Sequence, residues 1–338
     1  MSDNAASNSA GPVDWKIFWG DRGPHDGLKG LPVPPWRRSD PVTTPETFSD
    51  EAVARDARKA APFLPDPNMV AAVNTALYLR RPLLLTGKAG TGKSTLICKV
   101  AQELRMGPVL RWDITSRSTV RSGVYDYDAI GRLQKSNPGS PEPPIEDYLT
   151  IGPLGTAMLG TTWPRALLID EIDKGDIDLA NDLLNVIEEG VYDIPELRRL
   201  GNRTLTITDG FNSPVSTTQG HLECRQFPFV VMTSNAEREF PPPFLRRCVR
   251  LTIQPPGTAE RLTEIVNSHL SKDLIGKEKE VEALIDKFFA DAKSKELATD
   301  QLLNAVFLTI GMARESESRR TRATDRWIHG ETVWNVLS

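Results

Sequence analysis

Cysteine, histidine and long apolar runs are all scarce in this chain of 338 residues. The three cysteines, Cys98, Cys224 and Cys248, are too few and too scattered for a disulfide framework or a zinc site. The four histidines form no ligand cluster. No apolar run approaches the roughly 18 residues of a membrane-spanning helix, and the N-terminus lacks the basic and then apolar pattern of a secretory signal. We therefore expect a soluble protein of the cytoplasm.

An excess of positive charge is also missing. The 41 Lys and Arg side chains are outnumbered by 45 Asp and Glu side chains, which gives a formal net charge of −4. No whole-chain positive field therefore favours nucleic acid or an anionic membrane as a partner, although a local basic patch is compatible with these numbers. Hydrophobic residues make up 39% of the chain, which is ordinary for a globular protein.

The N-terminal part of the chain is rich in proline and tryptophan. Ten of the 26 prolines and three of the seven tryptophans fall within residues 1–67, and no helical or strand period persists there. This composition predicts an extended arm over residues 1–62. Its aromatic pieces, at 15–19 and 34–36, could pack on the arm's own domain or on a neighbouring subunit.

Short apolar segments alternate with helical patterns between residues 63 and 255. Each predicted strand is a brief continuous apolar run, which is typical of a parallel sheet covered by helices on both faces. The pattern therefore predicts an α/β fold. The four strands are RPLLLTG (81–87), VLRWDIT (109–115), ALLIDEID (166–173) and FPFVVMTSN (227–235).

Two stretches interrupt this alternation, and both are expected to project from the sheet. Residues 134–144 are rich in Pro, Ser and Gly, and VYDIP (191–195) and TLTIT (204–208) alternate as the strands of a hairpin do.

Beyond the paired prolines Pro255 and Pro256 the strand patterns stop, and helical periods take over. They predict a small all-helical second domain over residues 256–312. The remaining residues, 313–338, form a C-terminal tail with several arginines and two tryptophans, to which no structure is assigned.

A phosphate-binding loop pattern, GxxxxGK[ST], occupies residues 87–94, between a predicted strand and a predicted helix. Glycines let backbone N–H groups turn toward phosphate oxygens, and the following helix adds its positive N-terminal end. Lys93 would reach the β- and γ-phosphates, and the Ser94 hydroxyl would bind Mg²⁺. The predicted nucleotide-binding residues are Gly87, Lys88, Ala89, Gly90, Thr91, Gly92, Lys93, Ser94, Thr95 and Asp170.

Two adjacent carboxylates end the third predicted strand. Asp170 is the predicted second ligand of Mg²⁺, beside Ser94. Glu171 is the natural candidate to polarise an attacking water, a pairing that favours a hydrolase over a kinase. We expect Asp173, which follows closely, to have a structural role.

Polar residues also follow the fourth predicted strand. Asn235 could orient the same water or sense the γ-phosphate, and it could equally be a turn former. Arg246 and Arg247 come next, in FPPPFLRRC. A guanidinium can neutralise charge on a transferring phosphoryl group, and it can be supplied by a neighbouring chain. The catalytic candidates are Glu171, Asn235, Arg247 and Arg246.

The order GKAGTGKST, LLIDEIDK, VVMTSN and FLRRC resembles that of an AAA+ ATPase. The stretches IGPLGTAML, DLLNVIEEG and SNAEREFPPPFLRRC resemble its MoxR-like branch in particular, and the likeness runs from about Asp66 to Gly311. The resemblance implies an ATPase core at 63–255, an insertion at about 117–155 exposed on one face of a ring, and a helical lid at 256–312. It also implies ATP and Mg²⁺ at the interfaces of a homo-oligomer, usually a hexamer.

The resemblance also implies residue roles. Lys93, Ser94, Asp170, Glu171 and Asn235 match the motifs of the family. The arginine finger aligns best with Arg247, with Arg246 as the alternative. One departure concerns the lid, where the family usually carries an arginine toward the γ-phosphate. The corresponding region here reads KELATDQLLNAV, and Lys293 and Lys295 are the nearest cations.

These observations predict an ATP-hydrolysing, ring-forming ATPase of the MoxR-like kind that remodels or chaperones a partner protein. MoxR-like ATPases often act beside a protein with a von Willebrand A domain, so such a protein is a candidate partner. One alternative is a nucleic-acid-dependent motor or restriction-type NTPase; the acidic residues of the insertion argue against it, and the arginines of the tail keep it open. Another is a nucleotide-gated scaffold in a defence or signalling assembly. Neither nucleic acid nor membrane is the expected partner.

Overall fold

The computed structural model describes residues 15–37, 48–136, 141–159, 164–224, 226–270, 278–292 and 297–318. The helices are α1 (Asp50–Ala60), α2 (Pro67–Leu79), α3 (Lys93–Glu103), α4 (Val120–Val124), α5 (Ala129–Lys135), α6 (Pro153–Met158), α7 (Ile177–Glu189), α8 (Pro195–Arg198), α9 (Pro242–Arg247), α10 (Ala259–Leu270), α11 (Glu278–Asp291) and α12 (Thr299–Ser318). The strands are β1 (Leu83–Thr86), β2 (Leu110–Asp113), β3 (Tyr125–Tyr127), β4 (Leu149–Ile151), β5 (Ala166–Asp170), β6 (Val191–Asp193), β7 (Thr204–Thr208), β8 (Pro214–Thr218), β9 (His221–Glu223), β10 (Phe229–Ser234) and β11 (Val249–Thr252).

Five strands form a central sheet in the order β11-β1-β10-β5-β2, and all neighbours are parallel. All four strands predicted from apolar runs belong to it, which confirms the predicted α/β fold. The fifth, β11, was not predicted, because its residues are only half-buried at the sheet edge and form no apolar run. The carboxyl ends of β1, β5 and β10 meet at one edge, where ligands of open α/β sheets bind.

Apolar side chains cover both faces of this sheet. Leu84 belongs to a buried cluster that includes α6 and α7, whereas Leu83 and Leu85 belong to one that includes α2 and α3. Successive side chains of a strand point to opposite faces, so a continuous apolar run is the pattern that a doubly covered strand requires.

A second sheet of six strands has the order β3-β4-β7-β8-β9-β6. The expected insertion at 117–155 contributes the strands β3 and β4 to this sheet, and it also contains the helices α4 and α5. Residues 137–140, part of the first stretch expected to project, lie outside the described residues.

The predicted hairpin of VYDIP with TLTIT is wrong. β6 pairs with β9, and β7 pairs with β8, so two strands separate the expected partners. The tight turn lies instead between β7 and β8, where the Asp209 carboxylate accepts hydrogen bonds from the N–H groups of Phe211 and Ser213, both at 2.8 Å. Such an Asx-type turn closes a hairpin more readily than the segment that contains Pro195.

The first aromatic piece of the N-terminal arm, at 15–19, packs on the arm's own domain, whereas Trp36 of the second piece is exposed. The Asn74 side-chain oxygen accepts hydrogen bonds from Ile17 N–H at 2.7 Å and Phe18 N–H at 3.0 Å. Its amide nitrogen donates to the carbonyls of Phe18 at 2.7 Å and Val70 at 2.8 Å. Phe18 and Asn74 are fully buried. Residues 1–14 and 38–47 of the arm lie outside the described residues.

The expectation that no helix interrupts the arm is wrong at α1. This helix is mostly charged, so its apolar period is weak, but its ends carry the expected signals. The Ser49 side chain accepts a hydrogen bond from Ala52 N–H, acidic residues occupy the first turn and basic residues the last. Its buried residues, Asp56 and Ala60, face the core, and the helix packs along α3.

Asn74→Ala is expected to lower the free energy of unfolding by about 3 kcal/mol, since it leaves two buried N–H groups and a carbonyl of the arm without partners. Denaturant unfolding of the whole chain measures this change. Asn68→Ala, an exposed amide on the same helix, is the matched control and should stay within about 0.5 kcal/mol of the wild type. Equal losses in the two variants would show that Asn74 does not secure the arm.

Helices α10, α11 and α12 pack around a third apolar cluster, as expected for an all-helical unit after Pro256. The last helix continues to Ser318. Residues 319–338, including Trp327 and Trp334, lie outside the described residues. In the described part of the chain, no helix is long and apolar enough to cross a membrane.

Candidate nucleotide-phosphate site

The loop between β1 and α3 has a backbone that only glycine adopts without strain. Gly87 and Gly92 have φ angles of 144° and 83°. A Cβ atom on Gly87 would lie 2.4 Å from the carbonyl oxygen of Ile253, and one on Gly92 would lie 2.6 Å from the Phe63 ring. The space around the loop therefore excludes side chains at both positions.

Lys93 begins α3 and lies against this loop. Its ammonium donates hydrogen bonds to the carbonyls of Gly87 at 2.7 Å and Lys88 at 2.8 Å, and to the Asn235 side-chain oxygen at 2.9 Å. Burial lowers the pKa of Lys93, and the nearby carboxylates oppose that shift. The ammonium is thus held at the mouth of the loop by groups that a phosphate could replace.

Ser94 and Asp170 form a pair of oxygen ligands. The Ser94 hydroxyl donates to the two Asp170 carboxylate oxygens at 2.8 and 3.1 Å. Mg²⁺ is bound in many phosphate sites by one or two such protein oxygens together with phosphate oxygens and water. Within the described ranges, no group of three or more His, Cys, Asp or Glu side chains could hold a metal ion. The chemistry of this pair therefore fits Mg²⁺ that is shared with a phosphate.

Glu171 follows β5 with a left-handed backbone, at φ 56° and ψ 50°. This conformation is uncommon for a residue other than glycine, and active sites are one of the places where it occurs. The Glu171 carboxylate lies 2.5 Å from the ammonium of Lys174 and accepts a hydrogen bond from the Asn235 amide at 3.4 Å. The carboxylate is half-exposed, at 41%, so it faces the open side of the site.

Asn235 lies between the loop lysine and the acidic pair. Its side chain accepts from Lys93 and donates to Glu171, and its backbone N–H donates to the Asp173 carboxylate at 3.0 Å. The structure therefore brings Lys93, Glu171 and Asn235 together. The structure also adds Lys174, which forms an ion pair with Glu171. The sequence alone did not indicate this partner.

The two arginines lie elsewhere. Arg247 ends α9, where its guanidinium lies 3.3 Å from the Glu188 carboxylate and donates to Asn185 at 3.3 Å, both on α7. The side chain of Arg246 is exposed. Among the contacts of the described residues, neither guanidinium touches the phosphate loop, Asp170 or Glu171. Lys88, Ala89, Thr91 and Thr95 lie in the loop or in the first turn of α3.

The helical unit approaches the loop from the other side. The Arg261 guanidinium donates to the Leu64 carbonyl at 2.6 Å, and the Ser268 hydroxyl to the Pro62 carbonyl at 2.8 Å. These bonds tie α10 to the segment that carries Phe63, whose ring lies against the loop. Lys293 and Lys295, the nearest cations expected in the lid, lie outside the described residues.

The first turn of α12 also lies close to the loop. A Cβ atom on Gly90 would lie 2.7 Å from the Ala298 side chain and 3.0 Å from an Asp300 carboxylate oxygen. A cavity of about 170 Å³ opens between Lys88 and lid residues that include Phe288 and Phe289. The lid therefore packs closely on the phosphate loop and leaves only a small space beside it.

Residues 82–248 match the family model of the AAA domain, dynein-related subfamily. The match begins just before β1 and includes the phosphate loop, the carboxylate pair, Asn235 and both arginines. Residues 82–248 of this chain are therefore similar to an AAA domain. The match does not separate the MoxR-like branch from other AAA+ proteins.

Curated relatives of this chain include two proteins named chaperone protein ClpB. The protein from Meiothermus ruber is 27% identical over 229 residues, which are 65% of this chain and 24% of ClpB. The protein from Chlamydia trachomatis serovar D is 24% identical over 238 residues, which are 67% of this chain and 25% of ClpB. The chain thus spans about a quarter of the length of these relatives.

Solved structures with a similar course of the chain include two nucleotide complexes. NtrX from Brucella abortus with ADP has a TM-score of 0.46 and 14% identity, covering 83% of this chain and 56% of NtrX. The Saccharomyces cerevisiae Hsp104-ADP complex has a TM-score of 0.40 and 16% identity, covering 80% of this chain and 49% of Hsp104.

Proposed function

We propose that this protein hydrolyses ATP with Mg²⁺ as a homo-oligomeric ring, and that it uses this cycle to remodel or chaperone a partner protein. One observation carries the catalytic part of the proposal. Lys93, the Ser94–Asp170 pair, Glu171 and Asn235 converge at the carboxyl edge of one parallel sheet and are joined by hydrogen bonds.

Each of these groups has a distinct task in phosphoryl transfer to water. Bound ATP and Mg²⁺ would supply the phosphoryl group and the cation that neutralises its charge. Ser94 and Asp170 would hold the cation, and the Lys93 ammonium would bind the terminal phosphates. A Glu171 carboxylate oxygen accepts the proton of the attacking water, which the Asn235 amide orients.

Ring formation is supported by the position of Arg247. Its guanidinium contacts α7 of its own chain and not its own phosphate loop, as expected for a finger that serves the site of a neighbouring subunit. In a closed head-to-tail ring, one surface of each copy contacts a different surface of the next copy, so every site then receives one finger. We propose a hexamer, which is the usual ring of the family that the sequence resembles.

The remodelling part of the proposal has separate support. The two ClpB relatives are named chaperone proteins, and the sequence resembles MoxR-like ATPases, for which a von Willebrand A domain protein is a typical partner. We therefore propose a protein client rather than nucleic acid. The cytoplasmic location stays a prediction.

The experiment that tests this proposal combines turnover with mass. Wild-type protein should release phosphate from ATP only with Mg²⁺, and Lys93→Ala should not. Light scattering should give the mass of one chain or a small oligomer without nucleotide, and that of a ring when ATP is added to Glu171→Gln. A monomer that never turns over ATP would contradict both the enzyme and the ring.

A further inference from the structure

We infer that Thr233 and Asp173 are positioning residues that form a reciprocal brace between the ends of β5 and β10, and that this brace sets the geometry of Glu171 and Asn235. The inference rests on the proposed ATPase function. Thr233 is on β10 and holds Asp170 at the end of β5 and Glu171 directly after it. Asp173 also follows β5, and it holds the residue that follows β10.

Thr233 is the first half of the brace. It is 1% exposed, and together with Ser234 it forms the polar end of a strand that is otherwise apolar. Its hydroxyl oxygen accepts a hydrogen bond from Glu171 N–H at 2.9 Å, and the hydroxyl donates to an Asp170 carboxylate oxygen. The Thr233 hydroxyl thus donates its hydrogen to Asp170, the proposed Mg²⁺ ligand, and accepts a hydrogen bond from the backbone of Glu171, the proposed base.

This contact explains how Glu171 keeps its left-handed backbone. A residue other than glycine at φ 56° persists only where surrounding contacts over-determine it. The bond from Glu171 N–H to Thr233 is such a contact, and it comes from the neighbouring strand rather than from the local chain. Without it, the backbone can relax and the carboxylate leaves the side of Asn235.

Asp173 is the second half of the brace. It is 4% exposed, and one carboxylate oxygen accepts hydrogen bonds from the N–H groups of Asn235 at 3.0 Å and Glu237 at 3.2 Å. The other oxygen is buried and has no hydrogen-bond partner among the described residues. A buried carboxylate that uses one oxygen for two N–H groups clamps the turn after β10, because charge-assisted bonds of this kind are strong.

The turn that Asp173 clamps determines where the Asn235 amide lies. Ala236, in the middle of it, has a φ of 63°, and its N–H donates to the Ser234 hydroxyl at 2.9 Å. Asn235 leaves this turn with its side chain between Lys93 and Glu171. Displacement of a reacting group by about 1 Å can cost about 100-fold in rate, so an unclamped turn should impair turnover.

The test uses near-isosteric variants of both halves in the full-length protein. Thr233→Val and Asp173→Asn should each lower kcat for ATP by about 10- to 100-fold, while the Kd for ATP changes by less than about threefold. Thr233→Ser keeps the hydroxyl, so it should retain kcat within about threefold of the wild type. Rescue by serine separates the hydrogen bond from general packing of the strand.

Two controls carry the same chemical changes in the second sheet. Asp209→Asn alters a buried carboxylate that accepts hydrogen bonds from Phe211 and Ser213 N–H, both at 2.8 Å. Thr217→Val removes a buried hydroxyl that donates to the His221 carbonyl at 3.0 Å. Both controls should keep kcat within about twofold when compared at equal folded fraction.

Hydrogen exchange provides a readout that does not need turnover. Asp173→Asn should speed exchange of the backbone amides of Asn235 and Glu237, because their hydrogen bonds to a neutral side chain are weaker. Thr233→Val should speed exchange of the Glu171 backbone amide, because that N–H loses its hydrogen-bond acceptor. Unchanged exchange, or a kcat within twofold of the wild type in both variants, would overturn the brace. A wild-type protein without ATP turnover would instead overturn the proposed function together with the positioning role. In that case faster exchange would show that the brace is only structural.

Discussion

Glu171→Gln is expected to lower ATP turnover by at least about 100-fold while nucleotide binding stays within about threefold. The amide has nearly the shape of the carboxylate, but it cannot accept a proton from the attacking water. The variant also loses the ion pair with Lys174. In the wild type, the hydrogen bond to Glu171 and the negative charge of Glu171 raise the pKa of Lys174. Phosphate release under saturating ATP measures turnover, and titration with a fluorescent ATP analogue measures binding.

A neighbouring carboxylate serves as the control for this variant. Glu237 is exposed and lies near Lys174, but its side chain is not part of the hydrogen-bonded group around Lys93. Glu237→Gln should therefore keep turnover within about twofold of the wild type. Turnover above one tenth of the wild type in Glu171→Gln would remove Glu171 from the role of base. It would direct attention to a water held by other polar groups.

Arg247→Ala is expected to lower turnover by about 1,000-fold with ATP still bound, as loss of an arginine finger does. The site of each Arg247→Ala subunit remains intact, and each Lys93→Ala subunit, which cannot bind nucleotide productively, still carries Arg247. Equal mixing of the two inactive proteins should therefore restore about a quarter of wild-type turnover per subunit, since random assembly pairs a good site with a good finger at one interface in four.

Arg246→Ala is the matched control for the finger, because Arg246 is the adjacent guanidinium on α9. Arg246→Ala should keep most of the turnover if Arg247 is the finger. If Arg246 is the finger, Arg246→Ala should lose turnover and Arg247→Ala should keep most of it. Glu188→Gln removes the partner that holds Arg247 on its own chain and should leave nucleotide binding unchanged. Absence of rescue in the mixture, with both single variants inactive, would indicate a finger that acts within one chain.

The groups that we propose to bind and cleave a phosphate were predictable because each belongs to a short local pattern. Continuous apolar runs such as Leu83–Leu85 have to be buried strands, and in a parallel sheet their carboxyl ends meet at one edge. The phosphate loop, Asp170, Glu171 and Asn235 all follow such runs directly. Local sequence therefore predicted both the α/β fold and the meeting of these side chains.

Features that depend on distant pairs of residues were not predictable in the same way. The docking of the arm on Asn74 joins residues 56 and 57 positions apart, and the bond between Asn235 and Asp173 joins residues 62 apart. The pairing of β6 with β9 likewise depends on where the β7–β8 turn forms.

The sequence by itself therefore determined the four central strands that are continuous apolar runs, the phosphate-loop pattern and the candidate site residues, since those follow from periodicity and adjacent motifs. Only the tertiary structure decided that Thr233 holds Glu171, that Asp173 holds the turn of Asn235 and that Lys174 pairs with the proposed base. The physical reason is that a buried polar group takes whichever partner the neighbouring strand presents, and strand order is a property of the whole fold.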